Sequence, residues 1–80
     1  MAKSNRNIIG ARLKESRLAQ PNSLSQASFA RLLQIRGLRI DRSAIAKIET
    51  GRRPVSDIEL VAFSKVLAVT VTWLLGEEST

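Results

Sequence analysis

The stretch SAIAKIETGRRP, residues 43–54, decides the fold of this chain. Ile45 and Ile48 stand three residues apart, the spacing that places two side chains on one face of a helix. Gly51 follows this apolar pair and predicts the end of the helix, because glycine readily adopts the left-handed conformation found there. The stretch therefore predicts a short helix of roughly residues 42–50 with one buried face.

Capping and breaking residues divide the rest of the chain into further helices. The predicted helices are residues 6–19, 25–37 including both caps, 42–50, 56 onward, and 71–75. The predicted N-caps are Ser25, Asp41, Ser56 and Thr70. No stretch alternates like a strand, so we expect an all-α, compact five-helix bundle. Its core is predicted from Ile9, Leu13, Phe29, Leu32, Leu33, Ile45, Ile48, Leu60, Phe63 and Leu67.

The 80 residues suffice for one small domain, residues 1–80. The chain lacks residue types that catalytic sites commonly use. There is no cysteine and no histidine, which excludes a disulfide framework, a thiolate metal site and a histidine-based triad. The four glycines are too scattered for a phosphate-binding loop. We therefore expect a non-enzyme without metal, cofactor or small-molecule ligand. No apolar run approaches about 20 residues and no signal peptide is evident, which predicts a cytoplasmic protein without a membrane partner.

The charge of the chain is divided unevenly along its length. Residues 1–53 hold twelve Lys and Arg against three acids, a net charge of +9. Residues 54–80 hold one lysine against four acids, a net charge of −3. The cationic part would attract a polyanion such as nucleic acid, but a charged surface that only keeps the protein soluble gives the same pattern.

The outer face of the predicted third helix carries small, polar and cationic side chains. The residues that share this face are Arg42, Ser43, Ala46, Lys47 and Thr50. Such a helix can enter the DNA major groove, where arginine or lysine donates to guanine and hydroxyls pair with several base edges. A helix face that is merely solvated would look the same.

Residues beside this helix are suited to phosphate contacts. Gln26 follows the N-cap of the second helix, where its amide can bond a phosphate oxygen or the neighbouring helix. Thr50, Arg52 and Arg53 lie just past the third helix, where contacts to a DNA backbone are expected.

Taken together, these residues resemble the lambda-repressor/Cro-like helix-turn-helix family, also called XRE-like. The motifs that carry the resemblance are IGARL at 9–13 with Arg17, LSQASFA at 24–30, SAIAKIETGRRP at 43–54 and LAVTVTWLLG at 67–76. The combination of Leu-Ser-Gln with Ile-x-x-Ile-Glu-x-Gly is much more specific than either motif alone.

The resemblance implies a sequence-specific double-stranded DNA-binding transcriptional regulator, a repressor, with the reading unit at about residues 25–51. It implies base contacts from Arg42, Ser43, Ala46 and Lys47. Expected contacts to the DNA backbone come from Gln26, Ser28, Arg36, Arg39, Thr50, Arg52 and Arg53. It also implies an ion pair between Arg17 and Glu49, which gives Glu49 a structural role and not a catalytic one.

The sequence departs from the family spacing in two places. About five extra residues separate Gln26 from Glu49, which implies either a longer second helix or an elongated connection between helices 2 and 3. Arg36 and Arg39 fall in this insertion and either contact phosphates or are solvated. About two further residues are inserted between Arg17 and Gln26.

Regulators of this type usually bind palindromic operators as homodimers. The expected dimer surface consists of Val69, Val71, Trp73 and Leu75, although Trp73 could instead complete the core. Two other functions remain open: an antitoxin-like or partner-binding interaction module, and the N-terminal DNA-binding domain of a longer regulator.

Overall fold

The structure is a computed structural model that describes residues 5–77. Its helices are α1 (Asn5–Leu18), α2 (Gln26–Ile35), α3 (Arg42–Glu49), α4 (Asp57–Leu67) and α5 (Val71–Leu74). No strand occurs between residues 5 and 77, and the prediction of an all-α five-helix bundle is confirmed. The first, third and fifth helices each end one residue earlier than predicted, which is ordinary at frayed helix ends. A membrane-spanning helix is absent from the described residues.

The predicted N-caps begin their helices as expected. The side chains of Ser25, Asp41 and Ser56 accept hydrogen bonds from backbone N–H groups three residues further on, and Thr70 does the same at α5. At α4, the Glu59 carboxylate also accepts from the Ser56 backbone N–H, completing the predicted capping box. Each cap satisfies a donor that the helix itself cannot, which fixes where each helix begins.

Glycine ends both helices of the predicted reading unit. After α2, Gly37 has φ 92°, and the Leu38 N–H returns to the Leu33 carbonyl at 3.1 Å. After α3, Gly51 has φ 77°, and the Arg52 N–H returns to the Lys47 carbonyl at 2.8 Å. Both ends are Schellman motifs, in which a residue in the left-handed region satisfies the last carbonyls.

The insertion between Gln26 and Glu49 forms a longer loop between α2 and α3. α2 ends at Ile35 and α3 begins at Arg42, so residues 36–41 form the connection. The Gln34 side-chain amide donates to the Ile40 carbonyl at 2.8 Å, and Ile40 is buried. These two anchors hold the end of the loop against the helices, so the elongated connection is tied to the core.

All five helices contribute side chains to one core, among them Leu13 of α1, Ile45 of α3 and Leu74 of α5. The rings of Phe29 and Phe63 meet at its centre, 5.6 Å apart. Leu32 was expected in the core but is 40% exposed, and Ala30 is buried in its place. The reason is angular: the inward stripe of α2 centres between Phe29, Ala30 and Leu33, which leaves Leu32 about 100° away. Leu60 is also only half-buried.

α1 approaches α3 closely at Gly10. A Cβ atom on Gly10 would clash with the Ile48 carbonyl oxygen and lie 2.9 Å from that of Glu49. Because those atoms are backbone of α3, they cannot move aside without moving the helix. The absence of a side chain at this position therefore sets the distance between α1 and α3.

We predict that Gly10→Ala destabilises the protein by about 1–3 kcal/mol, the usual cost of overpacking a core. Helix propensity alone would predict the opposite, a gain of about 1 kcal/mol. Urea denaturation followed by circular dichroism measures the difference. Gly37→Ala is the control: a Cβ there meets nothing within 4 Å, so only the left-handed backbone penalty of about 1–2 kcal/mol applies. A Gly10→Ala variant as stable as the wild type would contradict the close approach.

Candidate nucleic-acid interface

The outer face of α3 presents the side chains that the sequence analysis assigned to base contacts. Arg42, Ser43 and Lys47 are exposed, and Ala46 is half-buried between them. Ile45 and Ile48 are buried on the opposite face, so the apolar side of α3 packs against the rest of the protein. The structure thus brings the four predicted base-contacting residues together on one surface.

Thr50 closes α3 and lies beside the same surface. Its hydroxyl donates to the carbonyls of Ala46 and Lys47, each at 3.2 Å. Its lone pairs remain able to accept a hydrogen bond, while its donor capacity is used by the helix.

Exposed cations, for which residues 5–77 provide no ion-pair partner, flank α3 at both ends. Arg36 and Arg39 are exposed on the connection before α3, and Arg52 is exposed just after it. The acid next to them, Asp41, is engaged as N-cap through its hydrogen bond from the Ala44 N–H at 2.8 Å. Together with Arg42 and Lys47, these arginines form a cationic surface on the reading unit.

The Gln26 side chain bonds the neighbouring helix. Its amide nitrogen donates to Glu49 Oε1 at 2.9 Å. Of the two alternatives for this residue, the structure therefore contains the contact with the neighbouring helix. Ser28 is exposed on the first turn of α2, and its backbone N–H is used by the Ser25 cap. Phosphate contacts from Gln26 and Ser28 stay predictions.

The structure contains the Arg17–Glu49 ion pair that the resemblance implies. Arg17 Nε lies 2.7 Å from Glu49 Oε2, and Arg17 Nη2 lies 2.9 Å from Oε1. Both side chains are almost completely buried, 7% and 3% exposed. Arg17 Nη1 also donates to the Leu24 carbonyl at 2.9 Å. One buried, fully bonded pair thus connects α1, the entry to α2 and the last residue of α3.

We predict that Glu49→Gln costs about 3–5 kcal/mol of unfolding free energy, because it leaves the Arg17 charge buried without a counter-ion. The double variant Arg17→Met with Glu49→Met should cost less than the sum of the two single changes, since no charge is then left alone. Urea denaturation of the wild type, Arg17→Met, Glu49→Met and the double variant measures this coupling. Glu15→Gln, at an exposed site on α1, is the control and should change stability by less than about 0.5 kcal/mol. Additive single and double effects would contradict the assigned role of the pair.

Arg53 was expected to contact phosphate, and the structure engages it in a second ion pair. Its Nη1 and Nη2 lie 3.0 and 2.9 Å from the two Glu59 carboxylate oxygens, and Nη1 also donates to the Pro54 carbonyl. The hydrogen bond from Arg53 lowers the pKa of Glu59, and the same bond raises the pKa of Arg53. The sequence analysis assigned Glu59 only to the capping box and missed this pair. A phosphate contact from Arg53 stays a prediction, and the phosphate would have to share this guanidinium with Glu59.

Because the folded pKa of Glu59 is depressed, its ionised form stabilises the fold at any pH above the unfolded value of about 4.3. That contribution is lost as the pH falls through the lower folded pKa. We predict that unfolding free energy declines more steeply below about pH 4.5 in the wild type than in Glu59→Gln. The Arg53 side chain is 33% exposed, so solvent screening keeps the difference modest. Chemical denaturation across acidic pH measures it; Glu15→Gln should keep the wild-type slope, and an unchanged slope in Glu59→Gln would disprove the role of the pair.

The C-terminal residues expected to form a dimer surface are partly used by the fold. Val69, Val71, Trp73 and Leu75 are all half-buried. The guanidinium of Arg12 lies 4.6 Å from the centre of the Trp73 ring and donates to the Trp73 carbonyl at 3.2 Å. Trp73 therefore packs against the core and beneath a cation, as expected if it completes the core. The sequence analysis did not identify Arg12 as its partner.

No group of three or more acidic side chains within residues 5–77 is placed to hold a metal ion. The acids nearest the cationic surface, Asp41 and Glu49, are engaged in a helix cap and an ion pair.

A family model described as helix-turn-helix matches residues 13–74, from the middle of α1 to the end of α5. The chain therefore belongs to the XRE/lambda-repressor-like helix-turn-helix family, as the resemblance indicated. It is a DNA-binding helix-turn-helix protein. Comparison with curated proteins and with solved structures gives no match.

Proposed function

We propose that this chain is a sequence-specific transcriptional repressor that reads the DNA major groove with α3. The observation that supports this most directly is the outer face of α3, where Arg42, Ser43 and Lys47 are exposed and the one acid of the helix, Glu49, is buried. In a member of a DNA-binding helix-turn-helix family, such a face is the surface that base edges would meet.

The side chains of α3 suit base recognition in type and spacing. Arg42 and Lys47 can donate to O6 and N7 of guanine, and Ser43 can pair with several base edges. Ala46 between them leaves room for close approach and can contact a thymine methyl group. Arg42 and Lys47 are separated by about 7.5 Å of helix rise, roughly two base-pair steps along one strand. The proposed reading window is therefore only a few base pairs for each copy of α3.

The arginines beside α3 would fix its position on the duplex. Arg36 and Arg39 approach phosphates on the N-terminal side of the helix, and Arg52 approaches them on the C-terminal side. Arg53 contributes mainly by holding the segment after α3 through Glu59. Contacts from Gln26, Ser28 and Thr50 complete the proposed set.

We further propose that the protein acts as a homodimer on a palindromic operator, because two copies each reading a few base pairs give adequate specificity. A domain of this size regulates most simply by occupying its site, which is why repression is proposed.

Selection from a randomised duplex pool, at near-physiological salt and with excess nonspecific competitor, tests the proposal. Enrichment of a two-fold symmetric motif is the expected result. Binding without enrichment that disappears as salt rises would show nonspecific attraction only and would disprove sequence-specific recognition.

Substitutions on the two kinds of contact should differ in their effects. We predict that Arg42→Ala or Lys47→Ala costs about 1–3 kcal/mol on the selected sequence and relaxes the preference at particular base pairs. Arg36→Ala, Arg39→Ala and Arg52→Ala should weaken binding to all sequences alike and reduce the salt dependence by about one phosphate each. Titration of labelled duplexes at several salt concentrations measures both effects.

Lys14→Ala is the matched control, since Lys14 is an exposed cation on α1 outside the reading unit. It should leave the preferred sequence unchanged. Arg42→Ala and Lys47→Ala variants that retain wild-type affinity and preference would show that α3 does not read the bases.

A further inference from the structure

The outer face of α4 carries the uncovered apolar side chains of the C-terminal half. Ile58 is 71% exposed and Val61 is 46% exposed, while Phe63 and Leu67 on the opposite face are buried. By contrast, the apolar residues of the chain end are half-buried against the fold, as described for Trp73. Within residues 5–77, the side chains best placed for self-association after residue 54 are therefore those of α4.

Two opposite charges lie at equal distances before and after Val61 along α4. Asp57 lies four residues before Val61, and Lys65 lies four residues after it; both are exposed. Each is about 6 Å from Val61 along the helix axis, in opposite directions. A two-fold axis through Val61 and perpendicular to α4 would therefore place each Asp57 opposite the Lys65 of the other copy.

We propose that the outer face of α4, formed by Asp57, Ile58, Val61 and Lys65, is a homodimer surface on which two copies of α4 pack antiparallel. This proposal rests on the proposed function in one respect, which is that two copies are needed on one operator. The aliphatic stem of Lys65 would cover Ile58 of the other copy while its ammonium group reaches Asp57. A surface that complements itself in this way is the requirement of an isologous dimer.

The distribution of charge also favours a second copy as the occupant. The α4 face belongs to the part of the chain with a net charge of −3, and the cationic reading unit lies in the part with +9. Pairing through α4 leaves the cationic surfaces of both copies free for phosphates. It also avoids bringing those like charges directly together.

The dimer should be weak in solution. Two large apolar side chains and one acid–base pair per copy cover less than the roughly 1,200 Å² total area of a standard stable interface. Two adjacent half-sites on DNA would raise the effective concentration of one copy beside the other. We therefore expect monomer–dimer exchange without DNA and cooperative binding on a duplex with two half-sites.

Sedimentation velocity of the full chain over a concentration series tests the surface. The wild type should shift from monomer toward dimer, and Ile58→Gln should weaken association by about tenfold or more, because each dimer loses two buried isoleucines. Ile35→Gln is the matched control, since Ile35 is equally exposed, at 74%, but lies on α2. It should leave association unchanged.

A charge exchange tests the antiparallel arrangement. Lys65→Glu alone should weaken association by placing acids opposite each other, and Asp57→Lys combined with Lys65→Glu should restore it. A double variant that associates no better than Lys65→Glu would exclude the antiparallel pairing.

Three results would overturn the α4 surface. The first is a wild type that remains monomeric up to about 1 mM and binds two half-sites independently. The second is an equal loss of association in Ile58→Gln and Ile35→Gln. The third is a loss of association in Val71→Thr but not in Ile58→Gln. Titration of a duplex with a single half-site separates failure of the α4 surface from failure of DNA recognition. Ile58→Gln should bind this duplex as tightly as the wild type does. Association through α4 without any selected DNA sequence would instead disprove the proposed function and leave the dimer standing.

Discussion

The orientation of α3, the proposed reading helix, depends on one buried carboxylate, that of Glu49. It accepts two hydrogen bonds from Arg17 and one from Gln26, which come from α1 and α2. A buried carboxylate costs several kcal/mol unless its lone pairs are satisfied, so both donors must be in place for the fold to be stable. The last residue of α3 is thereby fixed to both neighbouring helices, while Gly10 sets how closely α1 can approach it.

This arrangement separates stability from recognition along α3. Ile45, Ile48 and Glu49 hold the helix from inside, whereas the side chains of Arg42 and Lys47 are exposed on its outer face. Under the proposed function, substitutions on the outer face would therefore change which bases are read at little cost to the fold. The elongated connection before α3 is likewise divided into anchored and exposed residues. Its last part is anchored through Ile40, and its arginines are exposed to solvent.

The features that the sequence predicted correctly are those set by local chemistry. The N-caps, the two glycine ends and the Ile45–Ile48 face each depend on residues a few positions apart. Long-range features were harder to predict. The period of α2 did not show that Leu32 would be exposed, and nothing in the sequence pattern indicated that Arg53 would bind Glu59. The Arg17–Glu49 pair, 32 positions apart, was accessible only through the family resemblance.

The Arg53–Glu59 pair would connect the proposed recognition by α3 to the proposed assembly through α4. Arg53 lies in the segment that follows α3, and its guanidinium binds Glu59 in the first turn of α4, which also bonds the Ser56 backbone as part of the capping box. At the other end of this segment, the Arg52 N–H donates to the Lys47 carbonyl of α3. The short segment between the two helices is therefore held at both its ends and cannot act as a free hinge. If α4 sets the two-fold axis, this rigid segment transmits the position of that axis to α3. The separation of the two reading helices, and with it the spacing of the half-sites, is then fixed by an ion pair that need not touch DNA.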